Sequence, residues 1–247
     1  MGGAMNTFVA VVLLLCSGVC FAQPAYPEPE AAAAWRALAA SYVRKALKDR
    51  TLDKDPALNA RIDAAMAAVG AAAAAVDPRF AGASWNALLI EDFGYGAAAF
   101  PGGIILVDAR FVRALQLNDD ELALILSHEA AHVLAGHASA KLSFMAEHLG
   151  KEKVPTANQA LLEFLAKDAY AADFRPTARL QEREADALGA RIFLATGFDP
   201  QRALELFNKL ADRETSGQSR ATDAHDSAGV RKQAVGAAMA DRKQFPP

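Results

Sequence analysis

The stretch NDDELALILSHEAAHVL, residues 118–134, determines the fold, because the rest of the chain is arranged around it. Asn118 is a candidate N-cap, and Glu121 follows three residues later, a capping-box spacing that predicts the start of a helix. The apolar side chains after it give this helix a broad hydrophobic surface, which is typical of a helix buried in a core. We therefore predict a long buried helix at the centre of the protein.

The same helix carries the pattern His128-Glu129-Ala130-Ala131-His132. Residues four positions apart lie on one face of a helix, so the two imidazoles can bind a single Zn²⁺ ion. Glu129 lies between them, close enough to act as a general base toward a water at the metal. The pattern predicts a zinc hydrolase, with two solvated helix histidines as the alternative, and we refer to this segment as the zinc helix.

The composition is that of an ordinary globular protein. Of the 247 residues, 53% are hydrophobic and 22% are charged, which is enough for a sizeable core in one large domain or two small ones. Alanine makes up much of the hydrophobic fraction, as in residues 31–34 and 71–75, and it favours helix. The net charge of −3 gives no reason to expect a nucleic-acid partner.

The N-terminus is typical of a secretory signal peptide over residues 1–22. Residues 8–15 are unbroken apolar sequence, too short for a comfortable membrane span, and small residues lead to a predicted cleavage after Ala22. No lysine or arginine precedes this stretch, so a retained membrane anchor is the alternative to a periplasmic protein. Residues 23–29 form a Pro-rich leader, and residues 30–247 are predicted to be a single domain without a transmembrane span.

Both cysteines, Cys16 and Cys20, lie inside the predicted signal peptide. A metal site in the mature chain must then use histidine and carboxylate ligands, which suits a catalytic site better than a structural one. Such a site needs a third protein ligand. His137 is a poor candidate, because on a continuous helix it would point about 140° away from His132. We predict a structural or supporting role for it.

Glu182 is the better candidate for the third ligand, in the sequence Glu182-Arg183-Glu184-Ala185-Asp186. Glu182 and Asp186 are four residues apart, so they share one face of a predicted helix over residues 179–196. If that helix crosses behind the zinc helix, Glu182 reaches the metal, and Asp186 accepts a ring N–H that fixes a ligand tautomer. Glu184 points away from both, and we predict that it is a solvated surface charge.

Over residues 85–240 the chain resembles the CAAX-prenyl-protease/HtpX-like zinc metallopeptidases, family forty-eight of the metallopeptidases, of gluzincin type. The resemblance implies a zincin-like α+β fold, predominantly helical, with a small β-sheet beside the zinc helix. It is closer to the soluble periplasmic members than to the prenyl proteases. The motifs that carry it are Phe100-Pro101-Gly102-Gly103-Ile104-Ile105-Leu106-Val107, the zinc-helix pattern with His137, Glu182 to Asp186, Gly197-Phe198-Asp199-Pro200, and His225 six residues before Arg231.

The resemblance implies that His128, His132 and Glu182 bind one zinc ion per chain. It also implies that Glu129 is the catalytic base and that Asp186 supports the ligands from behind.

His225 matches the family's downstream histidine beside the metal. The resemblance implies that it stabilises the oxyanion. We predict that Arg231, like Asp186, supports the site from behind, and that it also contributes to the oxyanion. His225 could instead reach the zinc as a fourth ligand and block the water site. Asp226 follows, where the family usually has proline, so this turn differs from the family pattern.

The run Ile104-Ile105-Leu106-Val107 is the strongest strand signal in the chain, and a Pro-Gly-Gly turn ending at Gly103 precedes it. In zincin-like enzymes an edge strand beside the metal pairs with extended substrate through backbone hydrogen bonds. We therefore predict that these five residues form the substrate-binding strand, with a buried core strand as the alternative. Residues 94–99 are predicted to be a loop.

These features predict a zinc metalloendopeptidase that hydrolyses protein or peptide substrates, such as envelope or misfolded proteins. One alternative is a latent protease that acts as a chaperone-like binding module, with residues 151–175 covering the cleft and His225 capping the zinc. Another is a zinc-stabilised scaffold, which would have no need for the base Glu129.

Overall fold

The structure is a computed structural model that describes residues 24–215 and 224–241. The predicted signal peptide lies outside the described residues. Nine α-helices and three β-strands form in the described ranges, so the predicted α+β, predominantly helical class is confirmed. Within those ranges, every helix is too short or too polar to cross a membrane.

The helices surround a small sheet in the middle of the chain. The elements are α1 (Glu28–Asp49), α2 (Pro56–Val76), β1 (Asn86–Ile90), β2 (Ala97–Phe100), β3 (Ile104–Asp108), α3 (Ala109–Ala114), α4 (Asp119–Leu134), α5 (His137–Leu149), α6 (Ala157–Ala166), α7 (Asp168–Leu194), α8 (Pro200–Thr215) and α9 (Ala228–Ala240). Helix α1 begins inside the predicted leader, whose Tyr26 is buried and donates its hydroxyl hydrogen to the carbonyl of Val154.

The sheet has the order β1-β3-β2, with β1 parallel and β2 antiparallel to β3. Because β3 is paired on both sides, the prediction that residues 103–107 offer an open edge to a substrate is wrong. The edge strands are β1 and β2. The outer side of β1 is partly paired through a bridge between Leu52 and Ile90, whereas no other strand of the described ranges pairs with the outer side of β2, which is therefore the open edge. The sequence predicted a loop there because Ala97, Ala98 and Ala99 have neither the β-branched side chains nor the alternation that mark a strand.

The sheet separates two hydrophobic cores. Side chains alternate across a strand, so Ile105 and Val107 face a core shared with α2 and α4, whereas Leu106 faces a core shared with α1 and α5. All three are almost fully buried. Burial of β3 on both faces explains why its sequence is an unbroken apolar run.

Helix α4 is the predicted zinc helix, and its capping box is present. The Asn118 side chain accepts a hydrogen bond from the Glu121 backbone, and the Glu121 carboxylate accepts one from the Asn118 backbone over 2.7 Å. Helix α4 packs against α7 at Gly189. A β-carbon on Gly189 would lie 2.9 Å from the Cα of His128, so only glycine permits this approach. The close crossing brings the Glu182–Asp186 face of α7 to the two zinc-helix histidines.

One predicted helix boundary is wrong. The sequence predicted a helix over residues 179–196, but α7 already begins at Asp168 and passes through Pro176. Proline leaves the carbonyl four residues earlier without its helical donor, but that residue, Ala172, is exposed, so water can replace the bond.

The latent-protease alternative predicted that the polar segment 151–175 covers the cleft. The structure does not place the segment there. It forms α6 and the first part of α7, and its buried side chains pack into the core shared with α1 and α5.

Candidate metal centre

Three donor atoms from α4 and α7 converge at the helix crossing. His128 Nε2 lies 3.1 Å from His132 Nε2 and 3.2 Å from Glu182 Oε2, and His132 Nε2 lies 3.5 Å from the same oxygen. These residues are the one group among the described histidines and carboxylates that could hold a metal ion. The structure therefore brings together the three ligands that the sequence suggested.

Glu182 Oε2 is buried and is surrounded by imidazole nitrogens, with His128 Nε2 at 3.2 Å and His225 Nε2 at 2.7 Å. Burial raises the pKa of Glu182, but the neighbouring imidazoles outweigh this effect and hold the pKa well below its usual range. A buried carboxylate is costly unless a cation neutralises it. The donor set of two imidazoles and one carboxylate fits a divalent metal.

His128 is held from behind by Asp186, as the sequence predicted. Its Nδ1 lies 2.9 Å from Asp186 Oδ1, so Nδ1–H donates to the carboxylate, and loss of the Nε2 proton to a metal would leave the Nε2 lone pair facing the centre. Burial lowers the pKa of His128, but Asp186 and Glu182 outweigh it and raise the pKa to about 9.

Arg231 secures the same carboxylate. Its guanidinium donates to Asp186 through Nη2 to Oδ1 at 2.7 Å and through Nε to Oδ2 at 2.9 Å. Burial raises the pKa of Asp186, whereas Arg231 and His128 lower it well below its usual range. The guanidinium thus contacts the carboxylate behind His128, the supporting position predicted for Arg231, and its contribution to the oxyanion stays a prediction.

His132 is supported by His137, for which a structural or supporting role was predicted, and by Glu184, which was predicted to point away. Gly136 has a left-handed backbone with φ 69° and ends α4, so the premise of one continuous helix through His137 is wrong. The turn brings His137 Nδ1 within 2.9 Å of His132 Nδ1, and His137 Nε2 within 3.3 Å of Glu184 Oε2. Burial and His132 lower the pKa of His137, which favours its neutral form. Glu184 therefore contacts the site, contrary to the prediction.

His225 lies at the open side of the centre. Its Nε2 is 2.7 Å from Glu182 Oε2, and 35% of its side chain is exposed. Asp226, which stands where the family usually has proline, follows His225. Its carboxylate pairs with Arg183 at 2.7 Å, and this ion pair attaches the turn to α7.

Glu129 is half-buried and faces a cavity of about 1080 Å³ beside the centre. The cavity has a polar wall that includes His128 and Glu129. Its apolar wall is formed by Phe111, Leu124, Ile125, Leu206, Phe207, Leu210 and Val235. The segment 94–97, which leads into β2, forms part of the rim. The arrangement places the Glu129 carboxylate, a group of residues that could hold a metal ion and an apolar cavity side by side.

Comparison with known proteins gives a consistent result. A family model described as peptidase family M48 matches residues 55–238. The mitochondrial metalloendopeptidase OMA1 of Saccharomyces cerevisiae is 28% identical over 137 residues, which are 54% of this chain and 39% of that protein. The beta-barrel assembly-enhancing protease of Yersinia pestis is 27% identical over 136 residues, 51% of this chain and 28% of that protein.

The beta-barrel assembly-enhancing protease of Escherichia coli K12 is 25% identical over 183 residues, 70% of this chain and 36% of that protein. The chain thus spans less than half the length of these relatives.

Proposed function

The chain belongs to peptidase family M48, and on that premise we propose that it is a zinc-dependent endopeptidase that hydrolyses peptide bonds of misfolded or envelope proteins. The supporting observation is the triangle of donor atoms, with sides of 3.1, 3.2 and 3.5 Å. Ligands at about 2.0–2.1 Å from a tetrahedral zinc lie about 3.3–3.4 Å apart, so the three residues fit that ion.

In this proposal, a bound zinc ion supplies a Lewis acid and lowers the pKa of a water. Glu129, one residue after His128 and facing the cavity, accepts the proton of the attacking water and passes it to the leaving amine. Asp186 and Arg231 keep His128 oriented throughout. His225, on the open side of Glu182, donates its N–H to the oxyanion that forms on the substrate carbonyl.

The open edge of β2 and the apolar cavity support an extended, apolar substrate. An edge strand binds peptides mainly through backbone hydrogen bonds, which read little side-chain identity. Large apolar side chains are mostly buried in folded proteins, so an unfolded protein offers many more of them to the cavity. Both features suit a protease for misfolded proteins.

We place this activity in the periplasm, on the basis of the predicted signal peptide in residues 1–22. The names of two relatives, which refer to beta-barrel assembly, agree with a cell-envelope role. An uncleaved N-terminus would make the protein membrane-anchored instead.

The test pairs zinc content with casein cleavage for the wild type and Glu129→Gln. We expect both proteins to bind one zinc ion per chain and the variant to lose at least about a hundredfold in activity, because proton transfer contributes that much or more. A wild type without zinc would overturn the site assignment. A variant as active as the wild type would overturn the role of Glu129.

A second candidate is a latent protease that acts mainly as a binding module. The contact between His225 and Glu182 favours it, because at 2.7 Å the imidazole is close enough to serve as a fourth ligand. In that case His225→Ala raises casein cleavage, whereas an oxyanion role predicts a loss. A protein that binds zinc and unfolded casein but cleaves nothing, even after His225→Ala, would rule out a cap formed by His225 and support a binding module without protease activity.

A further inference from the structure

The two zinc-helix histidines face the same chemical requirement. A histidine that binds a metal through Nε2 must carry its proton on Nδ1, and a neighbouring group must accept that proton's hydrogen bond. For His128 the acceptor is Asp186. For His132 the neighbour is His137, whose Nδ1 lies 2.9 Å from His132 Nδ1. A histidine nitrogen accepts only when it is unprotonated, so the tautomer of His137 decides whether this contact is a hydrogen bond or a repulsion.

Glu184 resolves that choice. If His137 Nδ1 accepts, its proton lies on Nε2, and Nε2 is the atom that lies 3.3 Å from Glu184 Oε2. An ionised carboxylate only accepts hydrogen bonds, so it favours the tautomer with Nε2–H. The opposite tautomer would set two N–H groups against each other at His132 and leave a lone pair facing the carboxylate. One proton arrangement therefore satisfies every contact from Glu184 to the metal-facing nitrogen of His132.

We propose that Glu184 and His137 are positioning residues that fix the tautomer of His132 through a hydrogen-bond relay. The inference rests on the proposed metal centre. His137 is only 6% exposed, so its tautomer is governed by these two contacts more than by water. Both of its nitrogens are engaged in the relay, which leaves none for a metal. This accounts for a histidine beside the centre that is not one of the three ligands.

The first measurement is the tautomer itself. The chain has five histidines, so long-range ¹H–¹⁵N spectra of the zinc-loaded protein can be assigned by single substitution. We expect His132 to carry its proton on Nδ1 and His137 to carry its proton on Nε2. A neutral His137 with its proton on Nδ1, or a doubly protonated His137, would overturn the relay.

The second measurement is zinc affinity by chelator competition. We expect His137→Ala to weaken zinc binding roughly 10- to 100-fold, the usual effect of losing a partner behind a ligand. Glu184→Ala should weaken it less, roughly three- to tenfold, because its side chain is 65% exposed and water can partly replace it. Two substitutions away from the site are matched controls. His148 stacks on Phe144 and Glu163 lies near Lys167, and His148→Ala and Glu163→Ala should both bind zinc like the wild type.

A rescue variant separates the relay from a general structural role. In His137→Asn, the amide oxygen takes the place of Nδ1 and can accept from His132 without any choice of tautomer. We expect this variant to recover most of the zinc affinity lost in His137→Ala, and to be insensitive to a further Glu184→Ala substitution.

If His137→Asn and His137→Ala bind zinc equally weakly, or if both alanine variants bind like the controls, the relay is wrong. If the wild type itself binds no zinc, the proposed metal centre fails instead, so the two failures are distinguishable.

Discussion

His128 and His132 are each held by side chains behind them, but the two sets of supporting side chains differ in charge and in burial. Behind His128, Asp186 and Arg231 form a charged pair whose side chains are 8% and 15% exposed. Behind His132, a buried neutral imidazole leads to Glu184, whose carboxylate is 65% exposed. A buried charge that loses its partner is costly, whereas an exposed carboxylate is easily replaced by water. We therefore expect substitutions in the support behind His128 to lower the free energy of unfolding. Substitutions in the support behind His132 should weaken metal binding alone.

Asp186→Asn should produce the largest loss of stability. The substitution leaves the Arg231 guanidinium without its counter-charge, which we expect to lower the free energy of unfolding by about 3–5 kcal/mol. Urea unfolding of the metal-free protein measures this without any contribution from zinc. Asp226→Asn, which breaks the more exposed pair with Arg183, is the control and should cost no more than about 1 kcal/mol. Equal effects would remove the contrast between buried and exposed charges.

Each support positions a proposed zinc ligand, so removing the metal tests the property that the two supports share. If zinc binds only the folded chain, free zinc at a hundred times its dissociation constant adds about 2.7 kcal/mol to the free energy of unfolding. Urea titrations with buffered zinc and with excess chelator should differ by that amount. The same titrations on Glu129→Gln should show an equal shift, because Glu129 is not a ligand in this assignment. An unchanged wild-type curve would show that the three residues do not bind zinc.

Gly189→Ala should damage the helix crossing that carries the first support. The added methyl group would lie 2.9 Å from the His128 Cα and 3.0 Å from its nitrogen, so α7 must move away from α4. We expect a loss of about 1–3 kcal/mol in the free energy of unfolding. In Gly236→Ala the new atom would lie 3.6 Å from Leu204, an ordinary contact, and this helical control should be neutral or slightly stabilising. A neutral Gly189→Ala would contradict the close crossing.

Glu184→Ala should have the smallest effect on stability. Because its side chain is mostly exposed and pairs only with a neutral histidine, we expect the free energy of unfolding of the metal-free protein to change by less than about 0.5 kcal/mol. The same variant should still bind zinc more weakly than the wild type. A loss of stability as large as that of Asp186→Asn would show that the two supports are built alike.

The two supports also differ in how far the sequence predicted them. Asp186 could be found because four-residue spacing on a helix reports a shared face, and α7 is helical at that point. A supporting role for His137 was predicted, but its contact with Glu184 could not be, because that contact depends on the direction the chain takes after Gly136. A glycine permits a left-handed turn but does not fix the path that follows it.

The same limit applies to the sheet. The central strand β3 could be predicted from its apolar run, since burial on both faces leaves a local signal. The choice of which strand lies at the edge could not, because pairing is settled by residues distant in the sequence. The alanines of β2 gave no local signal, so the strand that offers the open edge was predicted as a loop.

The crossing of α4 and α7 also bears on when the proposed metal centre is complete. Its contacts join residues far apart in the chain, such as His128 and Asp186, which are 58 positions apart. Contacts of long sequence separation are costly to form, because the entropy of closing the intervening loop must be overcome first. The group of His128, His132 and Glu182 is thus complete only when α4 and α7 have packed together in the core that both share with α2. If this group is the metal centre proposed above, an incompletely folded chain has no complete site with which to cleave itself or its neighbours.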